Sequence, residues 1–318
     1  MSGRVLVTGA TGFVGRTLCE TLSSAGFQIR AAVRRSGRVA AGIEQIVVGD
    51  IDRNTDWTEA LRDVDAVVHA AARAHIMNAK PSDMDLYYET NARGTARLAQ
   101  AAASAGVSRF VYVSSIKVNG EECARDYRAT DTPAPRDPYG KSKWEGEQAL
   151  LAASGPMLAA IVRPPLVYGP GVRANFLRLM QWVDREYPLP LGSIENRRSL
   201  VSVWNLCELL VHLLRHPLTT SQAWLVSDGE ELSTPALIRK IAAAMGRRAR
   251  LLPVPVAMLQ LAGALTGKSA EVARLRGSLA VDITATRQGL GWSPQLTMDE
   301  ALRRTVQWYL SEARTRGN

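Results

Sequence analysis

Tyr139 and Lys143 stand four residues apart in Tyr139-Gly140-Lys141-Ser142-Lys143, a spacing that puts a phenol and an ammonium on one face of a helix. A phenol is a poor acid or base near neutrality because its reference pKa is ~10. An adjacent ammonium favours the phenolate and lowers that value, so the pair suits proton transfer to or from an oxygen. Upstream, the pair Ser114-Ser115 offers a hydroxyl to polarise the same oxygen. Further upstream lies Thr8-Gly9-Ala10-Thr11-Gly12-Phe13-Val14-Gly15, a glycine-rich turn between an apolar run and a helix. Such a turn holds a dinucleotide pyrophosphate on a helix N-terminus. Gly9 would make the tight turn, Gly12 would let backbone approach phosphate, and Gly15 would let helix and strand pack closely. Either motif alone is a weak signal; in one chain, in this order, they point to chemistry on a bound dinucleotide.

The elements that must position these residues are legible nearby. Arg4-Val5-Leu6-Val7 reads as a short buried strand and Thr17 to Ala25 as a helix stopped by Gly26. Asp137 before Pro138 predicts a helix N-cap with proline in the first turn, placing Tyr139 at the start of that helix and Lys143 one turn deeper. Apolar runs ending near Val7, Val33, Val48, Val68, Val113 and Val162 alternate with helical stretches such as 92–105 and 142–153. That alternation predicts an α/β fold, a Rossmann-type doubly wound parallel sheet with helices on both faces. Its ligand should lie beyond the carboxyl ends of the strands. After Pro164 the texture changes. We expect a dinucleotide-binding domain over 1–164, rejoined by a strand and helix within about 198–230, and a smaller, mostly helical C-terminal substrate lobe from 165–197 and 231–318.

The 318 residues are 46% hydrophobic, enough for a sizeable core. The 3 cysteines, Cys19, Cys123 and Cys207, are too scattered for a disulfide framework or a zinc pattern, so no metal is expected and a reducing cytoplasm suits them. Met1-Ser2-Gly3-Arg4 leaves no room for a signal peptide. The net charge of +9 is dispersed along the chain with no basic block alternating with aromatics, which argues against nucleic acid and fits polyanionic small ligands. The most apolar segment, Val254 to Leu265, is too short to span a bilayer and reads as a buried or partly interfacial helix.

These residues resemble the extended short-chain dehydrogenase/reductases, the NAD(P)-dependent sugar-nucleotide epimerase/dehydratase family, over essentially the whole chain. Gly49-Asp50-Ile51, Val67-Val68-His69-Ala70-Ala71-Ala72, Asn91-Ala92-Arg93-Gly94-Thr95 and Arg163-Pro164-Pro165-Leu166-Val167-Tyr168-Gly169 fall in the family's order. The text around Val113–Gly120 and Ser142-Lys143-Trp144-Glu145 is similar to the UDP-N-acetylquinovosamine dehydrogenase subgroup, which reduces a 4-keto sugar nucleotide. The resemblance implies Ser115, Tyr139 and Lys143 as catalytic residues, with Tyr139 exchanging a proton with the sugar and Lys143 also bonding the nicotinamide ribose. It further implies that Asp50 and Ile51 flank the adenine, that Ala70, Ala71, Ala72 and Asn91 lead to the nicotinamide, and that Pro165 also touches the cofactor. Relatives commonly form homodimers through two helices, here those beginning near Asn91 and Tyr139.

Departures from the family pattern narrow the chemistry. Val33 occupies the place of the acid that binds the ribose 2′-hydroxyl in NAD-specific relatives, and Arg34-Arg35 follows it. A guanidinium pair suits a 2′-phosphate, so NADP(H) is favoured, with NAD(H) open. Ile116 and Lys117 replace the acid pair of the 4,6-dehydratases, which leaves reduction, oxidation or epimerisation at C4. Leu166 replaces an asparagine that many epimerases present to the sugar. The UDP-sugar is expected at Ser115, Tyr139, Asn175, Phe176, Leu191 and Gly192. Its diphosphate is expected at Arg198, with Arg197 competing, and at Arg276, with Arg274 equally placed. The leading expectation is an NADP(H)-dependent C4 reductase of a UDP-2-acetamido-2,6-dideoxyhexulose. The alternatives are a UDP-N-acetylglucosamine or UDP-glucose 4-epimerase with retained NAD, and a non-catalytic binding protein on the same fold.

Overall fold

A computed structural model describes residues 3–37, 39–73, 81–267 and 269–317; Met1 and Ser2, on which the signal-peptide expectation falls, lie outside them. The strands β1 (Arg4–Thr8), β2 (Gln28–Val33), β3 (Glu44–Val47), β4 (Ala66–His69), β5 (Arg109–Val113) and β6 (Leu158–Arg163) arise at the apolar runs read from the sequence. They are joined by β9 (Gln222–Leu225) in a seven-stranded sheet of order β3-β2-β1-β4-β5-β6-β9. Every neighbouring pair in it is parallel. Parallel strands covered on both faces read as unbroken apolar runs, and β1 shows why. Val5 and Val7 pack on one face with Leu18 and Leu22 of α1 (Phe13–Ser24) and Leu206 and Leu210 of α6 (Val203–Arg215). Leu6 packs on the other with Trp57, Leu98 and Ala102 of α3 (Gly94–Ser104), and Leu150 of α4 (Pro138–Ala153).

The second lobe has its own core. Tyr168, Phe176 and Met180 pack there with Ile238, Ile241, Leu302 and Val306. These come from β7 (Leu166–Tyr168), α5 (Ala174–Asp184), α7 (Thr234–Met245) and α11 (Met298–Gly317). The expectation that the strand opening at Arg198 rejoins the first domain needs a correction. The strand β8 (Arg198–Ser202) lies in a separate three-stranded sheet of order β10-β8-β7, where β10 is Glu231–Leu232. It is α6, packed on α1, and β9 that return to the main sheet. Alternation along β8 sends Val201 into the first core and Leu200 into the second, because successive strand side chains point to opposite faces. The remaining helices among the described residues are α2 (Pro81–Tyr87), α8 (Val256–Leu265), α9 (Ser269–Arg276) and α10 (Thr284–Leu290).

Between α2 and α3 the chain runs through a π-helical turn, Tyr88–Arg93, closed by Gly94 N–H donating to the Glu89 carbonyl. Such wide turns are frequent at functional sites. Among the described residues no helix is long and apolar enough to cross a membrane. Of the two readings of its segment, buried or partly interfacial, α8 departs from the first, for Met258 and Leu261 are 61% and 62% exposed.

Candidate active site

The strand order reverses between β1 and β4, and in an open parallel sheet the crevice at such a switch point takes the ligand. Gly9, just past β1, has a φ of +72°, and a Cβ on it would come within 2.7 Å of the Ala71 nitrogen just past β4. The Gly12 N–H closes the turn on the Gly9 carbonyl at 2.8 Å. A Cβ on Gly15 would lie 2.0 Å from that same carbonyl oxygen, so only glycine lets α1 approach β1 this closely. Gly12 caps α1 without any side-chain hydrogen bond, which leaves the first helical N–H groups for an anion. The cradle fits a dinucleotide pyrophosphate, with Thr11, Phe13 and Val14 on its rim. Asp50 and Ile51 follow β3; Ile51 packs under Gly94, whose Cβ would meet its Cγ2 at 2.7 Å. The exposed Arg34 is ion-paired with Asp50 at 2.6 Å, and Arg35 beside it is exposed.

Ser115 follows β5 and caps a short 3-10 turn, Ile116–Val118, accepting from the Lys117 N–H at 3.3 Å. Asp137 caps α4, accepting the Gly140 N–H at 2.6 Å, with Pro138 in the first turn as the sequence predicts. The Lys117 ammonium pairs with Asp137, tying the Ser115 turn to the start of α4. This places the Ser115 hydroxyl close enough to the Tyr139 phenol to lower its pKa. Lys143, 1% exposed, donates from Nζ to the Val113 carbonyl at 2.7 Å and lies 4.2 Å from the Tyr112 ring centre.

One expectation fails on this geometry. Burial pushes the Tyr139 phenol up to about 12, only partly offset by Ser115, and Lys143 is not among the groups that lower it. Burial also brings Lys143 down to about 7, against the opposing pull of Glu147. Desolvation dominates at both because it disfavours the charged form of each.

Several supporting residues escape the sequence reading. Glu147, fully buried one turn beyond Lys143, accepts from Arg163 through Nε at 3.0 Å and Nη2 at 2.6 Å, and from the Ser114 hydroxyl. The Ser114 hydroxyl is thereby committed to Glu147. The i, i+4 spacing of Lys143 and Glu147 was the available signal. His69 bridges the hydroxyls of Thr8 at 2.6 Å and Thr95 at 3.0 Å and stacks on Tyr112. Its burial lowers the imidazole to about 3, so it is neutral. The Tyr87 ring meets Tyr139 edge-on at 6.2 Å, and nothing in the sequence links positions so far apart. Asn91, on the π-turn, accepts the Arg73 N–H at 2.8 Å and donates to the Ser142 hydroxyl at 3.1 Å, joining the segment after β4 to α4. Ala70, Ala71 and Ala72 precede Arg73 in that segment, and Pro165 is buried between β6 and β7.

The expected substrate residues divide. Phe176 and Leu191 are core side chains of the second lobe, and Phe176 stacks on Tyr168 at 5.4 Å. They shape the lobe rather than offer contacts. Asn175 is exposed in the first turn of α5. The Gly192 N–H donates to the Leu252 carbonyl at 2.9 Å. Arg197, more than half exposed, is held by two carboxylates, Asp126 and Glu231, each at 2.6 Å. The Arg198 guanidinium is partly buried and donates to the Arg274 carbonyl. Arg276 is exposed at the end of α9 and Leu166 is 49% exposed. Ile116 is buried and Lys117 is ion-paired, so neither replaces the dehydratase acids.

Residues 5–226 match the NAD dependent epimerase/dehydratase family. The chain belongs to that family. It is 44% identical to a UDP-glucose 4-epimerase of Vibrio cholerae across 98% of this chain and 96% of that one. It is 27% identical to an N-acetyl-alpha-D-glucosaminyl-diphospho-ditrans,octacis-undecaprenol 4-epimerase of Escherichia coli O157:H7, across 99% and 97%. The fold is similar to that of MoeE5 in complex with UDP-glucuronic acid and NAD, with a TM-score of 0.78 and 25% identity over 98% of this chain and 100% of that one. This member is thus an NAD-dependent enzyme of the sugar-nucleotide epimerase/oxidoreductase type.

Proposed function

We propose that this protein is a UDP-hexose or UDP-N-acetylhexosamine 4-epimerase working with NAD(H). The observation that carries the reading is the Ser115–Tyr139 hydroxyl pair beside buried Lys143, in a chain 44% identical along its length to a UDP-glucose 4-epimerase. The C4-reductase expectation has less support. It leans on Arg34-Arg35, and the Arg34–Asp50 pair is exposed. Such a pair is worth at most about 1 kcal/mol, so it neither withholds Arg34 from a 2′-phosphate nor argues for one.

Bound on the glycine cradle, NAD would accept and return a hydride at the sugar and bring positive charge to the phenol. Tyr139 removes the C4 hydroxyl proton and later gives it back, while Ser115 orients that hydroxyl. With a phenol at about 12, removal is unfavourable near neutrality until positive charge arrives, which ties proton transfer to an assembled site. Arg198 would take the substrate diphosphate. A homodimer through α3 and α4 is part of the same reading.

The test is a proton NMR time course with UDP-glucose and UDP-N-acetylglucosamine and only catalytic NAD. We expect the C4 epimer to appear without net cofactor consumption. Tyr139→Phe should slow turnover by about 100-fold or more while leaving NAD affinity unchanged, since the ring remains. Stoichiometric NADPH oxidation with a UDP-4-keto sugar and no epimer from either substrate would replace this reading with the reductase.

A further inference from the structure

α8 is apolar all the way round: in Val256-Ala257-Met258-Leu259-Gln260-Leu261-Ala262-Gly263-Ala264-Leu265, Gln260 is the one polar side chain. A helix of that composition is ordinarily buried. Here Gly263 alone is buried, and Met258, Leu261 and Leu265 are 61%, 62% and 79% exposed. Leu252 before it and Leu275 on neighbouring α9 are exposed apolar side chains as well. An exposed patch of this kind marks an interaction site.

The charge around it selects the partner. From Gly246 to Arg276 the sequence carries six basic residues, Arg247, Arg248, Arg250, Lys268, Arg274 and Arg276, against Glu271 as its one acid. That is more than half of the chain's net +9 in about a tenth of its length. The five arginines are exposed. Arg247 and Arg250 contact Asp184 and Glu186 in exposed ion pairs at 3.2 Å, too weak to remove their charge from play. A second copy of this chain would bring the same positive excess with it, and like charges oppose that contact. An anionic surface would not. At 1.5 Å per residue α8 is about 15 Å long, half of a bilayer core, so it can lie in the interface but cannot cross.

We propose that α8 and its flanking arginines form a peripheral membrane contact, the apolar side chains entering the acyl boundary of an anionic bilayer and the arginines meeting its headgroups. Apolar burial and electrostatic attraction are the two signals that together hold a helix on a membrane surface. Leu189 and Gly192 exchange backbone hydrogen bonds with Leu252 at 2.8 and 2.9 Å. The loop expected to border the substrate nucleotide is therefore coupled directly to the membrane-facing segment. The proposal does not depend on the reaction catalysed.

The test is co-sedimentation of the full chain with vesicles of phosphatidylcholine, with and without phosphatidylglycerol, together with sedimentation velocity in their absence. We expect at least about tenfold more protein on the anionic vesicles, and loss of that binding in Met258→Ser/Leu261→Ser/Leu265→Ser. Arg247→Ser/Arg248→Ser should weaken it and reduce its salt dependence. These are surface positions, and an unchanged circular dichroism spectrum and Tm would confirm folding. Equal binding to both vesicle types, no binding to either, or retained binding by the triple variant would each overturn the proposal. If the triple variant instead halves the sedimenting mass and vesicles bind neither protein, the face belongs to a second copy.

Discussion

Lys143 and Tyr139 respond to burial in opposite senses, because the first loses charge on deprotonation and the second gains it. The lysine's folded value of about 7 lies below its ordinary value of 10.5. Between the two, the unfolded chain holds a proton that the folded chain lacks. Burying Lys143 therefore costs stability in full below about pH 7, and the cost fades as pH rises toward 10.5. Lys143→Met, which keeps the bulk, should be more stable than the parent by a few kcal/mol at pH 6 to 7, with the advantage shrinking steadily toward pH 10. Urea midpoints measured across that range check this; a pH-independent difference would show that Lys143 is already well solvated. Ser115, Tyr139 and Lys143 were legible in the sequence because the proposed proton transfer asks for those residue types at that spacing. Their electrostatics were not. Glu147, His69 and Tyr112 set the lysine's surroundings from three different elements, and only Glu147 lies within a helical turn of it.

At the scale of elements, β1, β2, β4, β5 and β6 were readable because burial on both faces turns them into short apolar runs. β10 has two residues and carries no such pattern. Phe176 and Leu191 illustrate a different failure: their order in the chain matches a ligand-binding segment, while the second core claims their side chains. The glycine turn allows a graded test. A methyl on Gly15 would collide with the Gly9 carbonyl at 2.0 Å, whereas one on Gly12 would sit at 3.0 Å from it. Overpacking of the first kind forces backbone shifts costing about 1–3 kcal/mol. Gly15→Ala should lower the Tm by several degrees and abolish NAD binding, and Gly12→Ala should weaken binding with a smaller loss of stability. Calorimetry with and without NAD separates the two; equal Tm values for both variants would mean that α1 can slide away from β1.

Across the whole molecule the two lobes share polar as well as apolar contacts. Asp228, 8% exposed, accepts the Tyr168 phenol at 2.7 Å, the Ser202 N–H at 2.9 Å and the Asn205 amide at 2.7 Å. It thereby joins β7, β8 and α6, and β8 itself feeds both cores. The lobes should melt together. Fluorescence of single-tryptophan variants retaining Trp57 or Trp224 in the first lobe, or Trp308 against the second core, should give coincident urea midpoints. Asp228→Ala, which orphans three buried donors, should lower them all by the same amount. Separate midpoints would show independently folding halves. Sequence texture placed a change near Pro164 but could not show this coupling, because Asp228 meets its partners only through the fold.

The wide turn at Tyr88–Arg93 is a matter of phase. A regular helix advances about 100° per residue, and a turn closed five residues back accommodates one residue more than ordinary pairing would. That surplus resets the azimuth of everything downstream, pointing Leu98, Ala99 and Ala102 at the sheet while Asn91 faces Ser142. Excising a single residue would let the helix relax into uniform winding, yet rotate the two faces out of step. A lone deletion there is therefore a larger change to this protein than most replacements, and it cannot be compensated by any choice of side chain.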